Sequence, residues 1–255
     1  MSQRTQVVKF NGKISIPAGV SSGIPQGSVL GPILFVLYIN DLPDGISTNI
    51  SLFADDTKIY NRVVNEEDSK VLQNDLEYLN EWSRKWLLNF NTDKCHVLSL
   101  GKFENIKHTS RYTLNGKELE HVFSEKDLGV TIDSELQFAE HIALKVNKAN
   151  SIMGLIRKTF AFLDSTLFKK LYITFVRPHL EYAQSVWSPY LQKYIDQLER
   201  VQIRATKLVE GLCTLSYEER LRILDFPTLV HSRRERGDKI EIFKHLHNYD
   251  QDSLP

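Results

Sequence analysis

The first forty residues contain three basic side chains and no aspartate or glutamate, so any carboxylate chemistry must draw on Asp41 and beyond. Cysteine is nearly absent. Cys95 and Cys213 stand far apart, which gives neither a disulfide framework nor a zinc-ligand spacing. Eight histidines, His245 and His247 among them, come without a companion Cys/His cluster, which argues against structural zinc. Long apolar runs are missing too. The strongest, VLGPILFVLYI at 29–39, is too short to span a bilayer and reads as a buried helix. The opening MSQRTQVVKF has no apolar core, so a secretory signal is not expected; nor is a membrane partner. The formal net charge is zero, which removes the global basic excess typical of nucleic-acid binders.

That neutrality conceals a pattern. Residues 41–140 hold eleven basic and nineteen acidic side chains, whereas 141–209 hold eleven basic and only four acidic. An acidic middle suits divalent cations, and a basic later segment suits phosphates. The 255 residues are enough for one large or two small domains. TQVVKFNGKISIPAGV predicts a hairpin turning at Asn11-Gly12, and RYTLNGKELEHV a second at Asn115-Gly116. Residues 30–40 predict a helix with Pro32 in its first turn. Residues 66–88 predict an amphipathic helix: Val71, Leu72, Leu76, Leu79, Trp82 and Trp86 recur at three- and four-residue steps, behind an acidic start. Trp82, Trp86 and Trp187 are expected in the core. NFNTDKCHVLSLGK reads as a turn into a strand. From about residue 136 the pattern becomes helical, over 137–160, 165–176, 190–209 and a tail at 216–250. The expected class is therefore α+β, with a mixed part at 1–136 and an α-helical part at 137–255.

Two features invite chemistry. SLFADDTKIY, residues 51–60, alternates apolar and polar on both sides of Asp55-Asp56, which predicts a hairpin with paired carboxylates at its tip. Adjacent acids at a turn are either a solvated Asx turn or a cation site, since they repel one another without a counter-charge. SGIPQGSVLGP places Gly23, Gly27 and Gly31 four residues apart, just before a helix. It is neither a P-loop nor a dinucleotide-binding G-x-G-x-x-G. It offers bare backbone for close approach to a nucleotide or base pair, or else a plain helix-entry turn.

Taken together, GIPQGSVLGPILFVLYINDL, then FADD, then WLLNFNTDKC resemble the palm of a reverse transcriptase, in particular that of non-LTR retrotransposons of the jockey and chicken-repeat type. EKDLGVTID resembles their primer-grip hairpin. LFKKLYITFVRPHLEYAQSVWSPY with LERVQIRATKLV resembles the region beyond it. The likeness runs from about residue 4 to residue 230. It implies a partial right-hand polymerase palm followed by an α-helical thumb-like region. It also implies RNA-templated DNA synthesis with deoxynucleoside triphosphates on an RNA template and DNA primer. Asp55 and Asp56 would hold Mg²⁺ in a two-metal site, with both as catalytic carboxylates. Gly23, Pro25, Gln26 and Gly27 would meet the templating base and incoming nucleotide. Lys94 would face the triphosphate, against the alternative of an ordinary exposed lysine. Leu128, Gly129 and Val130 would grip the primer, and Phe53 would pack under the hairpin. Lys145, Lys148, Arg157, Lys158, Lys169, Lys170, Arg200, Arg204 and Lys207 would either follow phosphates or form solvated helix faces. The family's habits imply nuclear or cytoplasmic residence.

The family's palm takes another aspartate from a strand ahead of the Gly-Pro-Gln-Gly loop, and here no acid precedes Asp41. Two carboxylates are too few to hold two Mg²⁺ ions. The fingers are not expected in these residues either. The expectation is therefore a reverse-transcriptase-derived chain that does not polymerise DNA alone. A non-catalytic nucleic-acid-binding remnant of a retrotransposon is the alternative.

Overall fold

The computed structural model describes residues 4–20, 23, 27–101, 110–229 and 239–247. The chain divides into two compact units, Met1–Cys95 with His108–Leu119, and His96–Lys107 with Glu120–Pro255.

In the first unit, β1 (Arg4–Gln6) pairs antiparallel with β4 (Ala18–Val20), and β2 (Lys9–Phe10) with β3 (Lys13–Ile14) lies between them in sequence. Asn11 and Gly12 both take positive φ at the β2–β3 turn, the conformation that the Asn-Gly pair predicts. Helix α1 (Leu30–Ile39) follows, then a 3₁₀ turn at Leu42–Gly45. β5 (Asn49–Phe53) and β6 (Asp56–Tyr60) form the predicted aspartate hairpin. Helix α2 (Glu66–Trp86) opens with a reciprocal capping box: the Asp68 N–H donates to Asn65 Oδ1, and the Asn65 N–H donates to Asp68 Oδ2. It ends on Leu87 in the left-handed region. β7 (His96–Leu98) belongs to the second unit. β8 (Thr113–Leu114) and β9 (Lys117–Glu118) belong to the first and turn at Asn115-Gly116, again with positive φ at both. Gln73 of α2 takes up the Thr113 backbone, its amide donating to the carbonyl and its oxygen accepting from the N–H.

One expectation fails here. α1 was read as a buried helix, yet only Gly31 and Ile39 of it are buried, and Ile33, Val36 and Leu37 are more than half exposed. Its residues are apolar on every side, so no single packing face could satisfy it; Phe35 is half-buried and Tyr38 packs edge-on against Trp86, but most of the remainder is exposed. The apolar stripe of α2 instead supplies the small core of this unit, with Leu76, Leu79 and Trp82 buried alongside Leu42, Tyr112 and Leu114.

The second unit starts with β7 paired parallel to β10 (Glu120–Val122), followed by the hairpin of β11 (Ser124–Asp127) and β12 (Val130–Asp133). Helices then dominate: α3 (Ala139–Thr159), α4 (Ser165–Leu171), α5 (Arg177–Glu181), α6 (Gln184–Trp187), α7 (Gln192–Thr206), α8 (Tyr217–Leu224) and α9 (Lys239–Leu246). A π-helical turn at Tyr172–Val176 joins α4 to α5, where Pro178 cannot donate to the ladder. One continuous core runs through this unit, from Val130 on β12 through Ile142, Val176, Leu180, Trp187 and Leu198 to Leu224 and Leu229. Residues 120–136 belong to the same compact unit as the helices. Trp82 and Trp187 are buried as expected, and Trp86 is half-buried.

Candidate nucleotidyl-transfer site

The β5–β6 register pairs Phe53 with Asp56, leaving Ala54 and Asp55 as a two-residue loop. Ala54 has φ +51°, left-handed backbone that an alanine adopts only at a cost. The paired rows put Ile50, Ile59, Leu52 and Thr57 on one half-buried face, and Phe53 with Asp56 on the other. Phe53 is 59% exposed and does not pack under the hairpin; cross-strand pairing places it on the face of Asp56. Both carboxylates are exposed and one residue apart. Among the described residues no group of three or more His, Cys, Asp or Glu side chains gathers as a metal cluster. Asp55 and Asp56 are the carboxylates here that could hold a divalent ion, with water supplying its remaining ligands.

Of the loop before α1, Gly23 and Gly27 are described, and both have φ +79°. A Cβ at either would meet nothing within 4 Å, so it is backbone conformation and not crowding that calls for glycine there. The Gly31 N–H donates to the Ser28 hydroxyl and starts α1. Pro25 and Gln26 lie outside the described residues. Lys94 closes a 3₁₀ turn, Thr92–Lys94, and is exposed. Its neighbour Asp93 pairs with Lys117, whose hydrogen bond and charge hold the Asp93 carboxyl below its ordinary range. Burial pushes the Cys95 thiol up, so it is not an activated nucleophile.

Leu128, Gly129 and Val130 belong to the second unit. Asp127 pairs with Val130, and Leu128 (φ +44°) with Gly129 (φ +85°) makes the two-residue turn. Three side chains from the helical part hold it. The Tyr182 hydroxyl donates to the Leu128 carbonyl at 2.9 Å. The Lys145 ammonium donates to the Gly129 carbonyl at 3.2 Å and lies 5.7 Å from the centre of the Tyr182 ring. His141 Nδ1 accepts the Thr131 N–H at 3.0 Å. That bond leaves the imidazole proton on Nε2, and the ring lies 5.0 Å from that of Trp187. Burial first, and Lys145 second, drive the His141 pKa down to about 4, so the ring is neutral at pH 7. Burial and Lys126 lower Lys145; burial, Lys148 and Lys145 lower His179.

A reverse transcriptase (RNA-dependent DNA polymerase) family model matches residues 3–162. The chain belongs to this family. It is 29% identical over 209 residues to the RNA-directed DNA polymerase from mobile element jockey of Drosophila funebris, covering 75% of this chain and 22% of that protein. It is 27% identical over 229 residues to the probable RNA-directed DNA polymerase from transposon X-element of Drosophila melanogaster, covering 82% of this chain and 24% of the relative. A Pol polyprotein from the type-1 retrotransposable element R1 2 of Nasonia vitripennis is 28% identical over 178 residues. The chain thus spans less than a quarter of the first two relatives. No solved structure gives a significant match. Reverse transcriptases as a family use divalent metal ions and bind template and primer, and this chain is a mixed helix-and-strand member. No helix among the described residues is long and apolar enough to cross a membrane.

Sequence reasoning missed Tyr182 and His141. His141 lies outside the quoted motifs, and Tyr182 lies inside LFKKLYITFVRPHLEYAQSVWSPY with nothing there to single it out; the packing against the β11–β12 turn reveals both. Of the basic residues singled out, Lys145 is engaged with the turn and Lys169 lies 3.7 Å from the exposed Asp225 carboxylate. Lys148, Arg157, Lys158, Lys170, Arg200, Arg204 and Lys207 are exposed.

Proposed function

We propose that this chain is the part of a retrotransposon reverse transcriptase that carries the Asp-Asp face of its nucleotidyl-transfer site and the primer-holding turn. The observation that carries this reading is the family match over residues 3–162, with a two-strand hairpin presenting Asp55 and Asp56 inside it. Asp55 and Asp56 bind Mg²⁺ in this reading. When bound, the ion supplies charge neutralisation at the phosphoryl oxygens. Gly23, Pro25, Gln26 and Gly27 present backbone and one long amide to the templating base and incoming nucleotide. Lys94 neutralises the departing pyrophosphate. Leu128, Gly129 and Val130 hold the primer strand in a palm, and the helices from α3 onward form the thumb-like part. Residues 1–136 and 137–255 are then the palm and thumb segments.

Two carboxylates hold one hydrated ion, so the chain alone does not extend a primer. A primer-extension assay on an RNA template with Mg²⁺ or Mn²⁺ checks this, and no product is expected. Product that vanishes in Asp55→Asn overturns it and requires a further carboxylate. The second reading, a non-catalytic binder of RNA–DNA duplex, is favoured by the exposed cations of α3, α4 and α7. It predicts binding that weakens steeply as salt rises; a flat response rules it out.

A further inference from the structure

Helix α2 does more than bury an apolar stripe. Asp75 is 2% exposed, and its carboxylate accepts from the chain just before β5: the Ser47 N–H at 2.9 Å, the Thr48 N–H at 2.9 Å and the Thr48 hydroxyl at 2.6 Å. One turn along α2, the Tyr78 ring lies against Gly45, where a Cβ would come within 2.2 Å of it. One turn further, the Trp82 indole N–H donates to Asp41 Oδ1 at 2.9 Å. The spacings of three and four put Asp75, Tyr78 and Trp82 on one helix face. That face holds residues 41–48, which link α1 to β5.

The hairpin it roots has no deep seat of its own, since no residue of β5 or β6 is fully buried. The hairpin is two-stranded, and such a pair is marginal by itself in water. A β5 freed at its entry would pair less persistently with β6, and that pairing sets the spacing of Asp55 and Asp56, for which a metal-binding geometry tolerates about 0.5 Å. Charge-assisted bonds to two successive backbone N–H groups and a hydroxyl are directional enough to hold that entry.

We propose that Asp75 is a positioning residue for the Asp55–Asp56 tip. It fixes the entry of β5 and, with Tyr78 and Trp82, makes α1 and the carboxylate hairpin one frame. The inference rests on the proposed function only in taking the tip as a divalent-ion site.

Manganese is the probe, read on the whole chain by paramagnetic broadening of backbone amide resonances. Wild type is expected to broaden first at Ala54–Thr57. Asp75→Asn should need several-fold more Mn²⁺ for the same effect. Thr48→Val, which keeps both backbone bonds and loses only the hydroxyl, should shift less, and it serves if Asp75→Asn does not fold. Leu114→Ala, a core change in the same unit that leaves residues 41–48 untouched, should leave the broadening at wild-type Mn²⁺. Equal affinity in wild type and Asp75→Asn overturns the proposal. So does a loss in Leu114→Ala as large as in Asp75→Asn, which would mark a merely structural role. If wild type shows no broadening at the tip, the metal reading fails instead. Asp75 is then judged on metal-free spectra: shifts at Ala54–Thr57 in Asp75→Asn but not in Leu114→Ala support it, and unmoved shifts refute it.

Discussion

Two hairpin tips in this molecule break the same backbone rule and are held in opposite ways. At the β5–β6 tip, Ala54 sits at φ +51°; at the β11–β12 tip, Leu128 sits at φ +44°. Each is a side-chain-bearing residue in the left-handed region, at a cost of about 1–2 kcal/mol. The second tip is gripped at the turn itself by Tyr182 and Lys145, and just behind it, at Thr131 on β12, by His141, all from its own unit. The first is fixed at its root, where the Asp75 carboxylate accepts the Ser47 and Thr48 N–H groups. The contrast teaches where rigidity is wanted. In the proposed function, a turn that holds the primer strand is braced directly, while a tip left open to ions and substrate is braced from behind, so that the brace does not occupy the site.

The largest test of this contrast is pH. His141 is neutral in the folded chain, with its pKa lowered from 6.5 to about 4. The unfolded chain therefore binds the extra proton first as pH falls. The stability that His141 contributes is whole above pH 6.5 and is lost progressively as pH drops toward 4. The loss reaches roughly 3 kcal/mol. Denaturant titrations of the second unit from pH 7 to pH 4 should show this decline, and a His141→Gln variant should flatten it. An unchanged slope in that variant would mean that His141 does not brace the turn.

Next in size is Gly129. A Cβ there would lie 3.3 Å from Tyr182 Cε1 while φ stays at +85°. Gly129→Ala should cost about 2 kcal/mol in chemical denaturation, and Tyr182→Phe in the same background should recover none of it, because the ring remains. A neutral Gly129→Ala would show that the turn is looser than its three partners imply. The smallest effect belongs to the other tip. Ala54→Gly relieves the left-handed strain with nothing pressing on the turn, and should stabilise by about 0.5–1 kcal/mol. Destabilisation would make the two tips alike after all.

The local elements were legible because their signals are local. Asn11-Gly12 and Asn115-Gly116 specify their turns by backbone preference alone, and Asn65 with Asp68 caps α2 within four residues. The aspartate hairpin was readable from its alternation. The seat of α1 was not: VLGPILFVLYI reads as buried, and hydrophobicity says what a segment would prefer, not whether a partner stands beside it. Phe53 failed for a related reason, since register decides its face and apolarity does not. Asp75 carries no motif signal, and Tyr182 is one residue of a long quoted segment; their roles arise only where α2, or the chain just after α5, meets a segment distant in sequence. Gln26 and Pro25, the polar tip of the loop reading, lie outside the described residues.

Gly45 and Tyr78 have a consequence for heredity. With a Cβ at 45 falling 2.2 Å from the ring, alanine there would push the aromatic from its seat on the segment that feeds β5. The two positions are thus expected to be inherited as one character: a copy of the element that lacks the aromatic at 78 could carry a larger residue at 45, and one that keeps the ring could not.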